Sequence, residues 1–304
     1  MRRLAIYIIC FALTALTASG SDDGGTRSPF SLGAGSRDLS QGGANMAFGD
    51  FATAPFWNPS RLAATEQYTA AGFYSRLYES DVSYQYFGAV IPTLDWGCLG
   101  IGIFRLGIDG IEQRDADNIL IPGDLQDNRM AFYLAYGKDF SGYNIGAAVS
   151  FEHHSLGNYS ATSSPGLNLS ASRTFAFRNN HIRELSIALV GRNIIKPGKE
   201  LAEDRVEQPS ALDASFSLKL TPAAPWDHCL TVSGCLTKVD ELETKYSTGA
   251  EYSFRELVSL RGGFRDGNLA AGGGLSYKSI TFDYALVDRD MGSLHMFTVS
   301  TSFG

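Results

Sequence analysis

His153 and His154 stand next to each other in a 304-residue chain that has five histidines in all. Neighbours on a strand point to opposite faces, so these two rings cannot close on one metal without a bend. Asp115, Asp117, Asp124 and Asp127 crowd a single stretch, where their carboxylate oxygens could collect a calcium ion. The plainer reading is a solvated acidic loop. Gly33-Ala34-Gly35 lacks both the third glycine and the preceding strand of a dinucleotide fingerprint. No nucleophile, base and orienting group fall into a recognisable set. The chain reads as non-enzymatic, with no metal and no cofactor.

Another set of charged residues recurs with period two. Glu152, Arg192, Asp213, Lys219, Glu251, Arg261 and Asp283 alternate with apolar residues along their segments. Tyr143, Ile145, Ala147, Val149 and Phe151 share a face opposite Asn144, Gly146, Ala148, Ser150 and Glu152. Leu212 to Leu220 and Ile280 to Leu286 repeat the pattern. Such alternation marks strands with one apolar and one polar face. About fourteen such segments begin near Gln67, Asp81, Asp95, Asn128, Tyr143, Asn168, Glu184, Pro209, Trp226, Lys245, Leu257, Asn268, Ser279 and Leu294. Their spacing, ~17 residues per strand plus turn, suits membrane strands of ~10 residues.

A soluble sandwich would alternate too, so the connections carry further weight. The longest, Gly107–Asp127, Ser155–Leu167 and Ile195–Gln208, follow the third, fifth and seventh strands. Those between, such as Thr93-Leu94 and Phe140-Ser141-Gly142, are short. Long connections on one side and short turns on the other are the outer-membrane pattern. The final strand places Phe297, Val299 and Phe303 on one face. That row would sit exposed on a soluble edge strand, and it resembles the signal read by the barrel-assembly machinery. The expected fold is all-β: a transmembrane antiparallel up-and-down barrel of about 14 strands, with lipid outside and the charged row in the lumen.

Met1 to Gly20 has a basic start, an apolar run and small residues, the pattern of a signal peptide. No later run reaches the ~20 apolar residues of a membrane helix. A net charge of -7 without any Lys/Arg run argues against a nucleic-acid partner. After cleavage Cys98, Cys229 and Cys235 remain. Cys229 and Cys235 would lie ~20 Å apart on one strand, beyond disulfide reach, and at most one pair can bridge.

Ahead of the strands runs Phe51-Ala-Thr-Ala-Pro-Phe-Trp-Asn-Pro-Ser-Arg-Leu-Ala-Ala64. Asn58 reads as a helix N-cap with Pro59 at the first helical position. Phe56 and Trp57 have no strand or long helix of their own to pack on. The run "GAGSRDLSQGGANMAFGDFATAPFWNPSRLAA" (33–64), with "GIDGIEQRDADN", "DLQDNRMAFYLAYGKDF", "GRNIIKPG", "GAEYSF", "LRGGFR" and "FDYAL" following in order, resembles PorV/PorQ-type outer-membrane barrels. These are related to FadL-like transporters of hydrophobic compounds. Asn58-Pro59-Ser60 departs slightly from the family's usual Asn-Pro-Ala.

The resemblance implies that residues 21–66 plug a barrel spanning residues 67–304, with Phe56, Trp57, Asn58 and Pro59 against the inner wall. Gly100, Gly102, Gly146, Gly272 and Gly274 fall on that wall. They are read mostly as strand-packing residues, and some as contacts for the plug. The resemblance further implies an outer-membrane protein that handles exported partner proteins in type IX-like secretion. The alternative is FadL-like transport of a hydrophobic small molecule.

Overall fold

The computed structural model describes residues 27–77, 82–93, 95–115, 117–178, 181–201, 204–221, 228–240, 244–289 and 291–304. The expected signal peptide, residues 1–20, lies outside them.

Fourteen antiparallel strands close into a barrel. They are β1 (Tyr68–Leu77), β2 (Val82–Thr93), β3 (Gly97–Arg114), β4 (Leu120–Phe140), β5 (Tyr143–Leu156), β6 (Gly166–Ala176) and β7 (Ile182–Ile195). The circuit continues through β8 (Ala211–Leu220), β9 (His228–Val239), β10 (Thr244–Phe254), β11 (Val258–Arg265), β12 (Asn268–Tyr277), β13 (Ile280–Val287) and β14 (Leu294–Phe303). Each strand pairs with the next. β14 returns to β1 in a register running from Tyr68 opposite Phe303 to Arg76 opposite His295. Closure removes the free edges that an open sheet would expose.

The three long connections contain more strand than their sequence suggested. In place of a loop over Gly107–Asp127, β3 runs on to Arg114 and β4 starts at Leu120, with Arg114 opposite Leu120. Register shifts between Ile108 and Gln113 interrupt the alternation there, which hid the pairing. Tyr159–Thr162 folds back on the end of β5, and Gly198–Leu201 pairs with Asp204–Glu207. All three hairpins rise from the barrel end opposite the C-terminus. In the turn of the tallest, Asp115 Oδ1 accepts hydrogen bonds from the backbone N–H groups of Asp117 (3.0 Å) and Ile119 (2.8 Å). That acidic residue closes a turn, and no cluster of metal-ligating side chains occurs among the described residues.

The strand faces separate by chemistry. Along β5, Tyr143, Ile145, Val149 and Phe151 are exposed while Ala148, Ser150 and Glu152 are buried. The terminal row Phe297, Val299 and Phe303 is likewise exposed. Cys98, Cys229 and Cys235 are all free thiols. Arginine on a lipid-facing row costs ~2–4 kcal/mol near the midplane. Val149→Arg is therefore expected to lower the yield of heat-modifiable folded barrel more than Ser150→Arg. Equal losses, or the reverse order, would reassign the faces.

Candidate functional site

Residues 28–64 form short turns because nothing in them sustains a long period. Pro29–Leu32 and Pro59–Ala64 are 3-10 turns, and Ser36–Leu39 and Ala54–Trp57 are single α-turns. Asn58 caps the last 3-10 turn, its Oδ1 accepting from Ser60 N at 3.1 Å, and Pro59 opens it. The segment reaches walls on all sides of the barrel. Tyr84 and Tyr86 of β2 donate to the carbonyls of Gly33 and Ala52. Ser60 bonds Ser170 and Ser172 of β6, and the Ala47 N–H donates to Ser215 of β8. Ser36 donates through its backbone N–H to Thr298 of β14.

Phe56 and Trp57 lie at the centre of these contacts, both buried. Phe56 meets Trp57, Phe104 and Tyr133 edge-on at centroid distances of 5.0, 5.0 and 5.5 Å. The Trp57 indole N–H donates to Ala34 O at 2.8 Å. Small residues on the wall make room for the segment. A Cβ at Gly146 would fall 2.3 Å from the Pro59 carbonyl carbon, and one at Gly100 would fall 2.8 Å from Pro55 Cγ. Gly272 meets Ser40, whereas Gly102 and Gly274 meet the wall's own Tyr86 and Arg261.

The charged wall residues form two groups around the segment. Towards the terminal end, Glu251 accepts a bidentate pair from Arg37 (2.9 and 2.8 Å) and a further bond from Arg261 (2.6 Å). Arg261 in turn donates to Asp283 at 2.5 Å. Towards the hairpin end, Arg192 donates to Asp213 at 2.6 Å, and its guanidinium lies over the rings of Phe56 and Trp57. Glu152 takes Lys199 at 2.9 Å and a short bond from Ser28. His153 and His154 diverge, bonding Thr162 and Asp127 respectively.

Sequence reasoning passed over Arg37 and Asp38, and over the inner aromatics Tyr84, Tyr86, Phe104 and Tyr133. Asp38 is a buried acceptor for Asn45 Nδ2 (2.8 Å) and Thr53 Oγ1 (2.6 Å). Burial, and then the neighbouring Asp50 charge, push its pKa up to about 6 from 3.8. The folded segment thus holds this proton more tightly than a released one. Docking is favoured at low pH and weakens as pH rises through the interval between those values, by roughly 3 kcal/mol in all at 1.36 kcal/mol per pH unit. Protease resistance of residues 27–66 in detergent-folded protein is expected to fall between pH 4 and pH 6.5. Asp38→Asn is expected to flatten that profile, and an unchanged slope in the variant would remove Asp38 as its source.

Among the described residues, a cavity lies on either side of the segment. At the hairpin end a cavity of about 120 Å³ lies between Phe30, Met46, Phe56, Tyr133 and Val239 on its apolar side and Asn168, Arg192 and Asp213 on its polar side. At the terminal end a polar cavity of about 420 Å³ is bounded by Arg37, Arg61 and the wall.

No protein-family model and no curated protein matches the chain. Solved structures do match. The Pseudomonas putida toluene transporter TodX shares 13% identity over 90% of this chain and 99% of its own, with a TM-score of 0.52. A TodX deltaS2S3 mutant, a monoaromatic hydrocarbon channel, shares 12% over 89% and 98%, at 0.53. A Pseudomonas aeruginosa FadL homologue shares 10% over 89% and 98%, at 0.49. The likeness to TodX is one of fold. The structural neighbours are FadL-like barrels of hydrophobic transport, and none of the matches supports the narrower PorV/PorQ assignment.

Proposed function

We propose that this protein is a non-enzymatic barrel of the bacterial outer membrane that passes hydrophobic small molecules, with residues 27–66 acting as a plug in its lumen. Residues 21–26 of the expected plug lie outside the described residues. The cavity at the hairpin end carries the reading. An apolar cavity of ~150 Å³ is enough to hold benzene, and this one, at about 120 Å³ and apolar on one side only, is of the same order of size. Phe56 gives it an aromatic wall, and Arg192 and Asn168 give it a polar side that orients a ligand. The fold shared with a toluene transporter supports the same class of cargo. The type IX-like secretion role implied by the PorV/PorQ resemblance gains no such support, and the alternative displaces it. Lipid surrounds the outward rows, and Phe297, Val299 and Phe303 serve recognition by the barrel-assembly machinery.

Val239 is buried on the edge of the cavity, so Val239→Trp fills it from the wall. Cells producing the protein are expected to take up toluene faster than cells without it, and the variant is expected to lose most of that gain while still folding. Uptake equal in all three strains would contradict the proposal.

A further inference from the structure

The larger cavity, at the end carrying the C-terminus, has a different chemistry. Five Lys or Arg side chains, four carboxylates and His228 line it. Glu251 and Asp283 are held by Arg37 and Arg261. Asp50 accepts from the Ala52 N–H, and Glu256 stands exposed at the rim. Arg61 and Lys219 have no carboxylate within ion-pair distance among the described residues.

Arg61 is the unusual group. It is 7% exposed, and its Nε has no hydrogen-bond partner. Its guanidinium lies 4.7 Å from the centroid of Phe51 and 5.4 Å from that of Phe48. Lys219 Nζ lies 5.2 Å from the same Phe48 ring. Two cations therefore gather at one aromatic ring on the edge of a polar cavity of about 420 Å³. Burial, and then the charge of Arg37, push Arg61 down to about 10, so it stays protonated at neutral pH. Ring faces attract cations but accept no strong hydrogen bond. A buried guanidinium with an unfilled donor is costly, and a bound oxyanion removes that cost through charge-assisted bonds.

We propose that this cavity is an oxyanion-binding site in which Arg61 and Lys219 hold a carboxylate or phosphate group beside Phe48 and Phe51. The two cavities share no lining residue, so failure of anion binding here and failure of toluene uptake are read separately.

The test is calorimetry on the detergent-folded full chain with three probes: benzoate, inorganic phosphate and uncharged benzyl alcohol. Saturable binding of benzoate or phosphate is expected, with benzyl alcohol much weaker. Benzoate alone would assign an organic carboxylate, phosphate alone a phosphate group, and both the shared chemistry. Arg61→Gln and Lys219→Gln are each expected to weaken binding about tenfold, as loss of a charge-assisted contact does, with heat-modifiable mobility kept. If Arg61→Gln fails to fold, Lys219→Gln decides. The proposal is overturned if neither anion binds, if benzyl alcohol binds as tightly as benzoate, or if Lys219→Gln leaves affinity unchanged.

Discussion

Changing Phe56 and Trp57 together to alanine is expected to free residues 45–64 to protease while leaving the barrel closed and heat-modifiable. The two rings pack on each other, and Phe56 also packs on Phe104 and Tyr133. Each large-to-Ala change at a packed site costs ~3–5 kcal/mol. Trp57 also loses its bond to Ala34 O. The wall keeps its structure because its backbone hydrogen bonds run from strand to strand and need nothing from the segment. Leakage of small polar solutes is expected to rise in step with protease sensitivity. Unchanged sensitivity at 45–64, or a barrel that no longer forms, would overturn the plug.

The second large effect is expected at Arg261, buried between Glu251 and Asp283. Removing one member of a buried ion pair leaves an uncompensated charge and typically costs ~3–5 kcal/mol. Arg261→Met leaves Glu251 with Arg37 but takes from Asp283 its one ion pair among the described residues. The melting temperature in detergent is expected to fall. Asp283→Asn added to Arg261→Met is expected to restore part of the loss by removing the stranded charge. No recovery in the double variant would mean that Arg261 acts through packing alone.

The strands were legible because a wall between lipid and lumen imposes period two, and β5, β8 and β13 keep it cleanly. The same rule misled at the connections. There the alternation breaks at register shifts such as Ile108 to Gln113, so strand looked like loop. In β2 and β3 the inner face is aromatic and the outer face is apolar too, the outward rows still carrying Phe87, Ile91, Leu99 and Ile101. Tyr84, Tyr86 and Phe104 are buried inward, while Gln85 and Arg105 stand on the outward rows beside Phe87. These inward rings give Phe56 an apolar wall to pack on, a contact that strand periodicity alone does not announce. The Glu251–Arg261–Asp283 chain joins three strands, and its assembly depends on register, which residue types alone do not fix. Arg37 reaches Glu251 across 214 positions of sequence, and no local pattern announces such a pair.

The central claim is that a plugged barrel still passes apolar molecules. It is tested most directly by reconstituting the protein in vesicles and measuring toluene and glucose flux side by side. The account predicts saturable toluene flux above that of empty vesicles, glucose flux equal to theirs, and a gain of glucose flux only after Phe56 and Trp57 are both removed. Toluene flux no faster than in empty vesicles, or glucose passing freely through the intact protein, would contradict it.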